Sequence, residues 1–357
     1  MRTPVVLVTG VDPDAMAATL VGLAWDLPRA VAVHHWIDPH RQVLTRTVSD
    51  ANGVVETEEI QLDHACVSCA LREDVVPTIE RLARDGRWES VLACLPVGAE
   101  AEQVDFVVAS DTRLQRHVRI AAVVVALDGE TVVDDLLGDD LLRERDRHSG
   151  PDDGRGMGEV GCAMVEYADV AVLTGRPDPT GTDFVRALLR TDAEVVAGSE
   201  NLDAARLVAG PHDHARTRAW VDSAFEVPVP PLASASVWRV ELVSPRAFHP
   251  QRLLDDIERL GGGRHRTRGA FWLPTRPGEI QVWDGSGGQL SIGTDGRWGR
   301  RVPRTRLLFT GVGVEPVHLR DAFEELLLAP QEALLDPARP VVEDGFEPWL
   351  GAIEHIA

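Results

Sequence analysis

The chain has 357 residues, 44% hydrophobic and 26% charged, which is the make-up of a globular protein and not of a disordered or fibrous one. Its length calls for two domains, or one domain with a large appendage, and no apolar run approaches the ~20 residues of a bilayer span. A net charge of −21 disfavours nucleic-acid binding by the surface as a whole.

In chain order, the N-terminal MRTPVVLVTG has no signal-peptide layout, because its short apolar run leads straight into a glycine turn. A cytoplasmic protein without a membrane segment is expected. VVLV (5 to 8), AVAV (30 to 33), SVLACL (90 to 95), RIAAVVVAL (119 to 127) and VAVLT (170 to 174) read as strands, while 14 to 27 and 71 to 85 have helical periodicity. This alternation predicts an α/β domain, a parallel sheet with helices on both faces. The glycine-rich stretch 148 to 161 reads as a mobile loop inside it. A Pro/Ala/Ser linker at 228 to 236 then separates residues 1 to 227 from residues 237 to 357. VWRVEL (237 to 242), a helix at 250 to 260, four further strand-like runs and a helix near 318 to 328 predict a small α+β domain.

The first strand ends in Thr9-Gly10 and a helix follows within a few residues, the place of a phosphate cradle. Such a cradle needs a lysine for the terminal phosphates and a hydroxyl for magnesium. All 36 basic residues are arginine, so no ordinary cradle of this kind exists anywhere in the chain. Pro13 removes an amide donor, and Asp12 and Asp14 would place negative charge beside a polyphosphate. A plain strand-to-helix turn is the favoured reading, and neither GTP nor another nucleotide is an expected cofactor.

Four cysteines do not make a disulfide framework in a chain this long. Cys66 and Cys69 form a C-x-x-C pair just before a helix, a spacing that lets two thiolates share one zinc, with His64 able to add an imidazole. The helix N-terminus is expected to help keep both thiols deprotonated, and water, His34, His35 or a partner's side chain are the candidates for a fourth ligand. The competing reading is a surface pair that merely oxidises or packs. Cys94 and Cys162 read as small core residues, and His212-Asp-His214 reads better as a solvated turn than as a metal store.

Residues 236 to 306 hold 13 arginines and 7 carboxylates, net +6, which leaves −27 for the rest. Arg264, Arg266 and Arg268 form one cluster and Arg300, Arg301 and Arg304 another, both near strand starts, where convergence on one face would suit a ribosomal RNA contact. A solvated rim paired with the acidic first domain is the alternative.

Taken in order, these segments resemble the CobW-like branch of P-loop metal-chaperone GTPases. His64-Ala-Cys66-Val-Ser-Cys69-Ala-Leu-Arg is similar to the family's cysteine motif, and Arg266-Thr-Arg-Gly-Ala-Phe-Trp-Leu273 and Phe309-Thr-Gly-Val-Gly313 resemble its C-terminal domain. The resemblance implies a P-loop-type first domain and a CobW C-terminal-like second domain. Departures fall on the nucleotide machinery: Met16 and Ala17 stand at the P-loop Lys and Thr, and Leu95 stands at the Glu of Glu-x-x-Gly. Thr174-Gly-Arg-Pro177 replaces Asn-Lys-x-Asp, and Ser68 replaces the middle cysteine. The fold carries over and GTP hydrolysis does not. Within the family the pattern is most similar to an actinobacterial branch that recruits a ribosome hibernation factor when zinc is scarce. That likeness implies a non-hydrolysing adaptor whose partners are the ribosome and that factor, with no DNA and no membrane. The alternatives are a zinc metallochaperone or a residual GTP-binding protein.

Overall fold

The computed structural model describes residues 2–62, 66–222, 228–232, 234–332 and 343–353. They fall into two compact units, Met1–Asp135 with Asp140–Val221, and Leu136–Asp139 with Asp222–Ala357. Among the described residues no helix is long and apolar enough to cross a membrane.

The first unit contains β1 (Thr3–Gly10), β2 (Ala30–Asp38), β3 (Val43–Asp50), β4 (Gly53–Gln61), β5 (Ser90–Cys94), β6 (Val118–Asp128), β7 (Val170–Thr174) and β8 (Glu194–Ala197). Their order across the sheet is β4-β3-β2-β5-β1-β6-β7-β8. From β2 to β8 every neighbouring pair is parallel, as the alternation of strand and helix patterns predicts. β1 reads as an uninterrupted apolar run because both of its faces are covered. Val6 and Val8 pack with Ala15, Met16 and Leu23 of the helix Pro13–Asp26 and with Leu207. Helices Val76–Asp85, Ala101–Ser110 and Met157–Tyr167 also lie against the central strands.

Beyond β2 the sheet turns antiparallel, with β3 and β4 extending it as a hairpin. This hairpin has no counterpart among the sequence-predicted strands. β4, GVVETEEIQ, is an edge strand with no fully buried residue, so it carries little of the apolar pattern that marks buried strands. The stretch 148 to 161 is also less loop-like than its glycines suggest. Asp153 accepts the Ser149 amide at 3.0 Å and Arg155 Nε at 2.9 Å, and a helix begins at Met157.

The second unit contains β9 (Val237–Ser244), β10 (His265–Phe271), β11 (Glu279–Ser286), β12 (Gln289–Arg297) and β13 (Thr305–Val312). All pairs are antiparallel, in the order β12-β11-β10-β13-β9. One face of this sheet carries Trp238, Val240, Leu242, Phe271, Trp283, Leu307 and Phe309, which pack with Leu253, Leu260, Leu319, Phe323 and Leu326 from the helical segments. Phe271 and Trp283 are fully buried, in keeping with the core packing expected of these aromatics. Gly269 permits the closest strand contact, because a Cβ there would lie 2.0 Å from the Arg306 carbonyl oxygen.

Candidate metal centre and the phosphate turn

Helix Pro13–Asp26 starts three residues after β1 ends, so Pro13, Asp14 and Ala15 are helical where a phosphate cradle would still be loop. Asp12 is the N-cap: its Oδ1 accepts the Ala15 amide at 2.8 Å, and its backbone carbonyl accepts the Met16 amide at 3.1 Å. Its second carboxylate oxygen accepts Arg147 Nη2 at 3.1 Å. The amides and positive charge that would meet a phosphate therefore meet the chain's own carboxylate. Met16 is 2% exposed and packs against Gly10, where a Cβ would come within 3.0 Å of Met16 Cγ and 2.5 Å of the Ala126 carbonyl oxygen. Ala17 faces solvent, Leu95 is fully buried, and the Thr174 hydroxyl donates back to the Leu127 carbonyl at 3.2 Å.

The cysteine pair opens a second helix. Cys66 is its N-cap, with its Sγ accepting the Cys69 amide at 3.1 Å. The helical path continues through Val67–Ala70, a π-helical segment Leu71–Val75, and Val76–Asp85. Both thiols are free and half-buried. The Cys69 thiol is held above its ordinary pKa, first by its hydrogen bond with the Cys66 thiol, then by burial and by the negative charges of Cys66 and Glu73; Arg72 opposes this. At Cys69 this runs against the expectation that the helix N-terminus helps keep the thiol deprotonated. The separation of Cys66 and Cys69 by three residues at a helix start is the spacing with which two thiolates share a metal.

Cys66 and Ser68 open onto a cavity of about 490 Å³ whose other walls include Glu100, Gln103 and the loop from Ser149 to Arg155. Ser68 Oγ donates to Gln103 Oε1 at 3.1 Å. His64 lies outside the described residues. The two histidines named for a fourth ligand are placed elsewhere. His35 is 1% exposed, with its Nε2 3.0 Å from Asp74 Oδ1 in a buried cluster that also holds Arg46 and Thr78. His34 follows the strand alternation to the opposite face, where burial and then the neighbouring His35 charge keep it below its ordinary pKa. Among the described residues no group of three or more His, Cys, Asp or Glu is disposed to hold a metal. Cys94 and Cys162 are buried, and burial pushes the Cys94 thiol up to about 12.

A third constellation escapes the sequence patterns. The His212 side chain is buried, with Nε2 3.0 Å from Asp105 Oδ2 and Nδ1 2.9 Å from Asp169 Oδ2. Tyr167 donates to Asp105 at 2.6 Å, His214 Nδ1 approaches the same oxygen at 2.6 Å, and Arg190 is ion-paired to Asp169. His212 is thus a buried pin and not part of a solvated turn. The one available signal was the spacing of two histidines around an aspartate, and the carboxylates that hold them are over forty and over a hundred residues away.

The arginine clusters do not converge. β10 runs antiparallel to β13, pairing His265 with Gly311 and Ala270 with Arg306. The start of one strand therefore lies beside the end of the other, and Arg264 and Arg304 are more than ~20 Å apart along the sheet. Arg264, Arg300 and Arg301 are exposed, whereas Arg268 and Arg304 are half-buried. Arg266 is 2% exposed and gives both terminal nitrogens to the Asp284 carboxylate, which removes it from the set able to meet a phosphate.

Comparison with known proteins places this architecture. Residues 237–327 match the model of the cobalamin synthesis protein cobW C-terminal domain. Over 314 residues, 84% of this chain and 74% of its counterpart, the sequence is 30% identical to the zinc chaperone Rv0106 of Mycobacterium tuberculosis. The chain belongs to the CobW-like family. It is also 22% identical to the zinc-regulated GTPase metalloprotein activator 1 of Dictyostelium discoideum, across 71% of this chain and 57% of that protein. Among solved structures, the Zn(II)-bound YjiA GTPase of E. coli aligns over 91% of this chain and 99% of its own, at a TM-score of 0.36 and 15% identity.

Proposed function

We propose that this chain is a zinc-handling member of the CobW-like family that works without nucleotide turnover. The observation that carries the reading is the contrast between its two helix entries. At Cys66 the entry presents a pair of neighbouring thiols beside a cavity; at Asp12 the chain's own side chains fill the place of a phosphate. Zinc is the cargo, held by Cys66 and Cys69 as thiolates, with His64 as the expected third ligand. The names carried by the two curated relatives support the metal. Zinc titration against a chromophoric chelator is expected to give one metal per chain, and Cys66→Ser with Cys69→Ser is expected to abolish it. Full stoichiometry in the double variant overturns the site. Calorimetric titration with GTP and magnesium is expected to show no binding at millimolar nucleotide, and a micromolar, magnesium-dependent affinity overturns the nucleotide-free reading.

The finer role is an adaptor that brings a ribosome hibernation factor to the ribosome when zinc is limiting. Exposed Arg264, Arg300 and Arg301 on a domain with a locally positive sequence support a polyanion contact, and the acidic remainder suits a basic protein partner. Co-sedimentation with ribosomes is expected to rise in chelated buffer. Pelleting that neither occurs nor responds to zinc overturns this role while leaving the metal site standing.

A further inference from the structure

Two histidines over a hundred residues apart in the chain meet in the first unit. His40 stands in the tight turn between β2 and β3, which the pairing of Asp38 with Val43 closes. Asp38 holds that turn by accepting the amides of His40 and Arg41, each at 3.0 Å. His148 opens the loop that Asp153 folds back by accepting the Ser149 amide and hydroxyl at 3.0 and 3.1 Å. The chain's own hydrogen bonds thus fix both segments, and the two imidazole rings lie 6.2 Å apart between centroids, edge to face at 83°.

Packing alone does not account for the pair. His40 is exposed, so its ring gains little from the contact. The Nδ1 of His148 is buried, and among the described residues none offers it a hydrogen bond. An imidazole nitrogen so placed has given up water and gained nothing for it, a cost that a cation at the ring removes. The spacing suits such an ion. Two imidazoles bound to one zinc at about 2.0–2.1 Å and the tetrahedral angle have ring centroids roughly 5 Å apart, so a rotation of the exposed His40 ring that shortens the gap by about 1 Å closes the pair on it. Charge permits it too. Arg41 and Arg147, the cations next to the two histidines in the chain, are paired with Glu59 at 3.0 Å and Asp12 at 3.1 Å, while the Asp38 carboxylate lies in the His40 turn.

We propose that His40 and His148 are a metal site of their own, which takes zinc or another borderline divalent cation. Imidazole selects such ions over magnesium and calcium, which prefer oxygen. Among the described residues no third His, Cys, Asp or Glu is disposed to join the pair, so water fills the remaining positions. Two protein ligands hold the ion weakly, and a competing chelator strips it. Gln42, two residues from His40, and Ser149, next to His148, line the cavity onto which Cys66 opens. The pair therefore borders the thiols without sharing a ligand with them, and it stands whether or not Cys66 and Cys69 hold zinc.

Direct calorimetric titration of the full chain carrying Cys66→Ser and Cys69→Ser, with no chelator present, tests this. Zinc is expected to bind at one exchangeable site per chain, and magnesium to give no heat. Adding His40→Ala or His148→Ala is expected to weaken zinc at least about tenfold, since each removes one of two protein ligands. The metal-free thermal midpoint should not move with His40→Ala, because that side chain is exposed. Hydrogen exchange reads the geometry: zinc should slow the amides of residues 38–42 and 147–153 together, and neither set in the histidine variants, because an ion held by both rings ties the two segments to each other. No zinc heat in the double cysteine variant, an affinity indifferent to His40→Ala, or protection confined to one segment overturns the proposal.

Discussion

His212 shows how a residue can be ordinary in sequence and decisive in place. Burial alone would lower its pKa, but the hydrogen bonds to Asp105 and Asp169 outweigh burial and raise it to about 9. Because the folded value lies above the unfolded one near 6.5, its contribution is complete below about pH 6.5 and is lost as pH rises through about 9. Denaturation midpoints followed from pH 6 to 10 are expected to fall across that window, and to fall less in His212→Gln. That variant leaves two buried carboxylates facing each other and should cost about 3–5 kcal/mol at neutral pH. The four cysteines divide on the same principle of place: a thiol reagent should titrate Cys66 and Cys69 in the native chain and all four only after unfolding, because Cys94 and Cys162 are buried. Arg266 and Arg264 form a similar contrast. Arg266→Gln should cost about 2 kcal/mol through the abandoned Asp284 carboxylate, while Arg264→Gln, on an exposed residue, should leave the urea midpoint unmoved.

Among the elements, the helix Pro13–Asp26 lies within a residue of the helical pattern read at 14 to 27, while its cap, Asp12 ahead of Pro13, was read only as unfit for a phosphate. What the pattern could not say is that the cap also accepts Arg147, from 135 residues away. Asp12→Ala therefore removes a cap and an ion pair together, with an expected loss of about 1–2 kcal/mol in urea unfolding. Strands β3 and β4 were missed for the opposite reason. An edge strand is stabilised by pairing and by side-chain contacts across the hairpin, here Arg46 with Glu56 and Glu58, and not by a buried apolar face. The π-helical segment Leu71–Val75 has no signature in its residues either; it places Asp74 among His35, Arg46 and Thr78.

At the scale of the molecule, the charge division read from composition persists, but its geometry changes what it can do. Two arginine clusters at opposite ends of an antiparallel pair cannot grip one phosphate group, so a polyanion that uses both must be extended. If ribosome association uses them, replacing Arg264, Arg300 and Arg301 by glutamine should lower the log-log salt slope by about 2, at roughly 0.7 per contact with single-stranded RNA. Arg266→Gln should leave the slope alone. Pelleting across a salt series reads both outcomes, and equal slopes in all variants would reduce the arginines to a solvated rim.

The sequence by itself determined the α/β first domain, the smaller antiparallel domain after the proline-rich linker, and the core strands. Local periodicity and turn chemistry act over a few residues and are written in adjacent positions. It also determined that no lysine could serve a phosphate loop and that Cys66 and Cys69 would stand together, since three residues on one helical turn cannot be far apart. The tertiary structure alone decided which charges face each other. Asp12 with Arg147, His212 with Asp105 and Asp169, and Arg266 with Asp284 are pairs between separate elements. Their partners are chosen by sheet register and helix packing, and electrostatic interactions depend on distance and burial that no sequence interval specifies.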